Sequence, residues 1–445
     1  MKRMTPLATS VWPLGATEAQ RHGAISAFSA ILCFCGLLAL APDARAQDVT
    51  VEQLVALALE RSPDLQTSRA GIGVAAGEVL QAGLRPNPTL ASSHEQGSAG
   101  MMTTTVGVEW PLDLFRRNAR IAAARSSADV TSLSVRERER VVASTVREWA
   151  GRLLAAERTL DVLNESLAAA RRVRDLLDRR VTEGGAPKLD VNLASVEAMR
   201  LEAEAALAAG EVEAARIELK AVAGLAADAP LVLRDSLEAL AGAPASPRLT
   251  PTAALEARPD LREAVARISA AEARAADARR QARPDVTLAA GYTRLAFGFD
   301  QLGLDHRGTP VRIHDIFHTV TLGARVSLPV RNRNEGTLAS AEAERTGAEA
   351  LFAARQRAAR AEIEAAVARE REARRAVELY ATGIRSLARQ NVDVMLEGYD
   401  LGRFPLAEVL AEQRRYLDVE AAYTAVLTRA YDTRTAVARA FGEIP

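Results

Sequence analysis

Cysteine is nearly missing from this 445-residue chain, and the two that occur, Cys33 and Cys35, both fall within the first 46 residues. Beyond them no disulfide, thiolate metal site or cysteine nucleophile can form. Lysine is almost as scarce (Lys2, Lys188 and Lys220), so arginine carries the positive charge. Basic and acidic residues balance at 57 each and alternate in sign, as in Arg136-Glu137-Arg138-Glu139-Arg140. Such alternation describes solvated helix faces and leaves no basic stripe for nucleic acid. Aromatics are only 4% of the chain, while alanine, arginine and glutamate abound, as in long paired helices. The sequence has no phosphate-binding glycine loop, no nucleophile elbow and no carboxylate pair with a histidine base. Neither an enzyme nor a cofactor site is expected.

The apolar stretch from Ile25 to Leu40 is short for a membrane-spanning helix. It follows Lys2, Arg3 and Arg21 and precedes the small-residue motif Ala44-Arg45-Ala46, so residues 1–46 read as a secretory signal peptide. Leu32 and Phe34 precede the two cysteines where lipid attachment would need a small residue, so no lipid anchor is expected.

What is present is a duplication. A strand-like run ends at Trp110-Pro111-Leu112, and a long helical pattern follows to a turn at Gly184-Gly185-Ala186-Pro187. A second strand-like run ends at Leu328-Pro329-Val330, and a second helical pattern follows to Leu401-Gly402-Arg403-Phe404-Pro405. Pro111 to Pro187 and Pro329 to Pro405 are both separated by 76 positions, an offset of 218 between repeats. Arg258-Pro259-Asp260-Leu261 likewise echoes Ser62-Pro63-Asp64-Leu65.

The chain is expected to divide into a first repeat, 47–225, an irregular linker, 226–250, and a second repeat, 251–445. Within the first, short helices lead to a strand hairpin at about 87–111 and a long helical hairpin at about 116–225. The second has a strand hairpin at about 284–329 and a helical hairpin at about 332–441. From about Asn118 to Thr182 there is no proline and one glycine, Gly151. A helix of ~65 residues is roughly 100 Å long. Val142, Val146, Trp149, Leu153, Ala156, Leu160, Leu163, Leu167 and Ala170 follow a four-three spacing, the mark of a coiled-coil seam. The strand candidates Thr103 to Trp110, Val286 to Tyr292 and Thr319 to Leu328 alternate apolar and polar residues, with a weaker candidate at Thr89 to Ser93. Four such strands cannot close a barrel alone, and a membrane tolerates only a closed one, so in a membrane several chains must pool their strands; the alternative is ordinary soluble hairpins capping a coiled coil.

At this point the chain resembles the TolC-like outer-membrane efflux proteins over essentially the whole span after residue 46. The segments that carry the resemblance are Gln81-Ala82-Gly83-Leu84-Arg85-Pro86-Asn87-Pro88, Pro329-Val330-Arg331-Asn332-Arg333-Asn334-Glu335-Gly336, and Tyr399-Asp400-Leu401-Gly402 followed by Val409-Leu410. The first two resemble the cobalt–zinc–cadmium resistance branch. The resemblance implies a mixed α and membrane-β fold with internal duplication. Long antiparallel α-helical hairpins would form a periplasmic tunnel, and four strands per chain would build a twelve-stranded outer-membrane β-barrel in a homotrimer. It also implies contact with outer-membrane lipid, a periplasmic adaptor and an inner-membrane pump of the resistance–nodulation–division class. The implied function is a passive duct for divalent heavy-metal cations, with small organic toxicants as the alternative cargo. A periplasmic coiled-coil adaptor without a barrel is the alternative of another class, but it would show one helical hairpin rather than two complete repeats.

The helical tips hold the candidate functional residues. Asp190 and Glu408 occupy equivalent positions under the 218-residue offset. In a trimer they would put six carboxylates around the narrow end, a ring favouring cations. The duller account is that acids in a first helical turn favour the helix dipole. The resemblance adds Gly184, Gly185, Pro187, Leu189, Gly402, Phe404, Pro405 and Leu406 as tip and adaptor-contact candidates. His306, His314 and His318 lie in the second strand–strand connection. The last two are four apart, a ligand spacing only on a helix. Gly303, Gly308 and Pro310 favour a loop or strand there, so no metal ligand is assigned.

Overall fold

The structure is a computed structural model that describes residues 47–98, 101–243 and 249–443. The expected signal peptide lies outside the described residues. The first repeat opens with strand β1 (Gln47–Val49) and helices α1 (Val51–Arg61) and α2 (Pro63–Gly83). Thr50 starts α1 with a capping box: its hydroxyl accepts from the Gln53 N–H, and the Gln53 side chain accepts from the Thr50 N–H. Pro63 stands at the first position of α2, where a missing N–H costs no helical bond. Strands β2 (Thr89–Gln96) and β3 (Met102–Pro111) follow, then helices α3 (Arg117–Thr182) and α4 (Lys188–Val222).

Strand β4 (Leu231–Leu233) and helix α5 (Leu237–Gly242) come next. The second repeat then supplies α6 (Pro251–Ala257), α7 (Pro259–Gln281), β5 (Asp285–Leu304) and β6 (Pro310–Ser327). Helix α8 (Glu335–Leu379) continues through a π-helical turn, Tyr380–Ile384, into α9 (Arg385–Asp400), and α10 (Leu406–Ala440) returns. Helices α3 and α4 have 66 and 35 residues. The stretch from Glu335 to Asp400 is again 66 residues and α10 is again 35.

The four long strands make one antiparallel sheet in the order β2-β3-β5-β6. Register places Val106, Tyr292 and Val320 side by side, and Val108, Ala290 and Leu322 beside them. Alternation sends Thr105, Gly107, Glu109 and Thr293 to the other face. The apolar face has no cover among the described residues, since Leu322 is 79% and Val320 72% exposed. Strands β2 and β6 leave the two sheet edges open among the described residues.

Two local expectations need correction. The segment 226–250, read as irregular, contains β4, which pairs in parallel with β1, and α5. Leu231, Leu233, Leu237 and Ala241 are buried in the main core. Elements of three and six residues are too short for periodicity to reveal. Strands β5 and β6 also run much further than read, because a bulge between Gly298 and Leu302 absorbs the irregularity and pairing resumes to Leu304↔Pro310. His314 and His318 therefore sit within β6 rather than in a connection.

The main core gathers Leu54 and Val55 of α1, Val146 and Leu153 of α3, Leu219 of α4, Leu237 of α5 and Leu427 of α10. Of the heptad seam, Val142, Val146, Leu153, Leu167 and Ala170 are buried and Trp149, Ala156, Leu160 and Leu163 half-buried. Trp149 packs against this core with the Arg152 guanidinium 4.3 Å from its ring centre. The lone glycine of α3 has a packing cause: the Tyr431 ring occupies the space a Cβ at Gly151 would need. The Tyr431 hydroxyl donates to the Arg147 carbonyl at 3.0 Å, and burial pushes its pKa up.

Candidate functional site

The two interhelical turns are built alike. Gly184 and Gly402 take φ of +78° and +70°, a left-handed conformation that glycine adopts without a Cβ clash. Each closes its helix as a Schellman motif. The Gly185 N–H donates to the Arg180 carbonyl at 2.7 Å, and the Arg403 N–H donates to the Gly398 carbonyl at 2.8 Å. Pro187 and Pro405 are the extended residues that start α4 and α10. Asp190 and Glu408 donate their backbone N–H to those prolines' carbonyls at 3.0 and 3.1 Å. Every one of these positions matches at the 218-residue offset.

The side chains break the symmetry. Asp190 is half-buried and accepts a hydrogen bond from the Tyr399 hydroxyl at 3.1 Å. Burial, and then the Asp190 carboxylate, push the Tyr399 phenol up to about 12. Arg180 pairs with Asp400 at 3.1 Å. Beneath them Leu177, Ala194, Leu406 and Leu410 form a buried cluster against which Val191 and Tyr399 pack. Phe404 lies over Gly398, where a Cβ would strike its ring. Leu189, by contrast, is 64% exposed. Glu408 is exposed and has no hydrogen-bond or ionic partner among the described residues. The chain thus joins Asp190 to the other repeat and leaves Glu408 free of such a tie.

Two further ties join the helical hairpins above the tips. Glu197, 2% exposed, is held by Arg200 at 2.6 Å and by Arg414 of α10 at 2.8 Å. Burial alone would raise its pKa, but hydrogen bonds from the two guanidiniums outweigh it and hold the carboxyl below its ordinary value. Glu420, 1% exposed, accepts from Arg158 of α3 at 3.0 Å and from Arg385, just past the π turn. Tyr423 stacks on Tyr380 of that turn at 6.1 Å, with Arg158 and Arg385 5.0 and 5.3 Å from its ring centre.

Sequence reading did not single out Arg180, Tyr399 or Asp400 as site residues. A signal for them was nevertheless there. At the offset of 218, Arg180, Val181 and Thr182 stand against Gly398, Tyr399 and Asp400, so the repeats diverge where they touch. The histidines do not form a chelating pair. Four positions on a strand span roughly 13 Å, too far for His314 and His318 to share an ion. His318 instead stacks on Tyr292, its Nδ1 2.5 Å from the Tyr292 hydroxyl. Among the described residues no group of three or more His, Cys, Asp or Glu could hold a metal, and no helix is long and apolar enough to cross a membrane.

Comparison with known proteins finds relatives that span both repeats. The chain is 24% identical over 402 residues to the cobalt-zinc-cadmium resistance protein CzcC of Cupriavidus metallidurans, covering 90% of this chain and 92% of that one. Its fold matches a crystal structure of CusC with a TM-score of 0.72 at 18% identity, over 89% of this chain and 92% of that one. It matches the outer membrane protein VceC of Vibrio cholerae with a TM-score of 0.68 at 22% identity, over 89% and 97%. The family profile described as outer membrane efflux protein matches residues 54–225 and 250–443, one segment per repeat. With both repeats matched, the chain belongs to the outer membrane efflux protein family, whose place is the outer membrane.

Proposed function

We propose that the protein is the outer-membrane duct of a tripartite efflux system, passive in itself and driven by an inner-membrane pump of the resistance–nodulation–division class through a periplasmic adaptor. The observation that carries this reading is the open sheet: four strands, an uncovered apolar face, and two strands each feeding a 66-residue helical run. In a lipid bilayer an open edge leaves backbone groups unsatisfied, which closure removes. Three copies supply twelve strands, an even number within the known range of such barrels.

The helices support the same assembly. Leu189, Val196 and Met199 of α4 are exposed at heptad spacing, and so are Leu387 and Val394 of α9 and Leu401 at its C-terminal cap. Each stripe lacks a partner seam among the described residues of one chain, and neighbouring copies in a homotrimer would cover them. The tips then surround the narrow end, with Gly184, Gly185, Pro187, Leu189, Gly402, Phe404 and Pro405 as the adaptor-facing surface, while Leu406, expected among them, is buried beneath it by packing on Leu177 and Ala194. Asp190 and Glu408 form the gate's acidic lining, and the Tyr399–Asp190 and Arg180–Asp400 ties hold it closed.

Divalent heavy-metal cations are the proposed cargo, on the similarity to CzcC, whose name records cobalt, zinc and cadmium resistance. Small organic toxicants are the second reading. A deletion strain challenged with cobalt, zinc and cadmium salts and with a panel of drugs separates them: metal sensitivity alone supports the first, drug sensitivity alone the second. Recovery of the protein as a soluble periplasmic monomer on membrane fractionation would overturn the duct.

A further inference from the structure

The sheet sorts its charges by face. Pairing places His94, Thr104, Arg294 and His318 in one cross-strand row over all four strands. Alternation puts this row on the apolar face, with Val106, Val108, Tyr292, Val320 and Leu322. Arg312 and His314 carry the same face of β6 onward toward the 305–309 turn. The carboxylates Glu95, Glu109, Asp285 and Asp315 all alternate onto the opposite face, where Glu109 pairs with Arg325 at 2.9 Å. Among the described strand side chains, the apolar face therefore carries cations and no carboxylate. Asp305 in the turn is engaged locally, accepting from the backbone N–H groups of Arg307 and Thr309.

Arg294 is exposed and has no acidic partner among the described residues, in contrast to Arg325. The flanking histidines are held by one ring nitrogen each: Nδ1 of His318 against the Tyr292 hydroxyl and Nδ1 of His94 against Thr104 Oγ1 at 2.9 Å. Their Nε2 atoms have no partner among the described residues. The height of the row is also defined. It lies eight residues beyond Val286 on β5, about 27 Å along the strand and roughly 20 Å in height at a tilt of about 40°. An apolar band is about 25 Å tall, so the row stands near its margin. That margin is the one remote from the long helices, which leave from the opposite ends of β3 and β6.

We infer that this row binds the phosphate of an outer-leaflet lipid headgroup. Arg294 supplies a planar guanidinium whose N–H pairs match phosphate oxygens, and charge-assisted bonds of that kind are the strong ones. His318 and His94 flank it with the free Nε2 atoms, and the acyl chains lie on Tyr292, Val320 and Leu322. The occupant is a lipid rather than free phosphate because the cations border an uncovered apolar face. This inference rests on the outer-membrane duct reading, which puts that face against the bilayer.

The test uses the full-length assembled protein in detergent, titrated with bis-phosphorylated lipid A, with enzymatically dephosphorylated lipid A, and with inorganic phosphate. Binding is read by native mass spectrometry and by thermal stabilisation. Phosphorylated lipid A should bind at least about tenfold more tightly than the dephosphorylated form, with inorganic phosphate producing no stabilisation at the same concentration. Arg294→Gln should remove most of that preference, Arg294→Lys should restore part of it, and Arg325→Gln should leave it intact. Equal binding of the two lipids by the unaltered protein overturns the inference without recourse to any variant. So does an Arg294→Gln protein that assembles normally and keeps the preference. Fractionation of the same preparations separates this from the parent reading: absence from the outer membrane sinks both, whereas a membrane-inserted trimer indifferent to phosphate sinks only the lipid site.

Discussion

Tyr399, near the end of the second long helical run, donates its hydroxyl to the Asp190 carboxylate in the first turn of α4, 3.1 Å away and 209 positions earlier. The contact ties the two helical hairpins at their tips. Its counterpart in the other repeat cannot form, because Val181 stands where Tyr399 would be. One symmetric backbone thus carries an asymmetric latch.

If that latch holds the tips together, removing the hydroxyl loosens them. Tyr399→Phe should raise the open probability of the channel in planar bilayers. A hydrogen bond to a charged group contributes about 1.5–3 kcal/mol, and partial exposure places this one at the low end, about tenfold in the equilibrium. Arg180→Ala combined with Tyr399→Phe should open it further. Conductance records indistinguishable from those of the unaltered protein would count against the latch.

The acidic tips should select for cations. Replacing both Asp190 and Glu408 with alanine should lower the cation-to-anion permeability ratio, measured as a reversal potential across a salt gradient. Glu408→Ala alone should change selectivity with little effect on opening, since it has no latch to break. Unchanged selectivity in the double variant would remove these carboxylates from the gate.

Acid should loosen the hairpins through Glu197. Its folded pKa lies below the ordinary value of 4.5, so its pairing with Arg200 and Arg414 adds stability above about pH 4.5. That contribution is lost as pH falls through the lower folded value. Glu197→Gln should therefore melt lower than the unaltered protein at pH 7, and the gap should narrow below pH 4. Breaking a buried pair costs about 3–5 kcal/mol, but the partly exposed arginines reduce this to about 1–2 kcal/mol. A gap constant from pH 7 to pH 3 would show that the pair is not the cause.

Gly151 should not tolerate a side chain. Gly151→Ala would push into the Tyr431 ring, an overpacking that typically costs about 1–3 kcal/mol despite alanine's better helix propensity. The readout is the thermal midpoint. Tyr431→Leu in the same chain should recover part of the loss, and no recovery would mean that the ring is not the obstacle.

Much of this architecture was legible in order. The proline-free run before Thr182, the heptad from Val142 to Ala170 and the paired Gly-Pro turns gave helices, seam and tips close to where they lie. The short pairing of β1 with β4 was not legible, because three residues carry no period. Nor was the reach of β5 and β6, since Gly303 and Pro310 read as loop signals and the bulge that reconciles them is a property of the pair. At the site, Asp190 and Glu408 were found by repeat symmetry, which also concealed their difference. Tyr399 acts on Asp190 from another helix, and no spacing in sequence encodes that.

The sequence by itself determined what depends on local and periodic forces: helix length, helix ends, strand alternation, and the duplication that repeats them. These follow from backbone sterics and from apolar residues recurring at fixed intervals. Only the tertiary structure decided which copy of a repeated residue meets a partner. It brought Tyr399 to Asp190, left Glu408 exposed, and gathered Arg294 and His318 on a face whose described side chains include no carboxylate. Such contacts join residues a hundred or more positions apart, or on neighbouring strands whose register is set by pairing. They are fixed by packing between elements, and a repeat in sequence cannot record where its two copies come to differ in space.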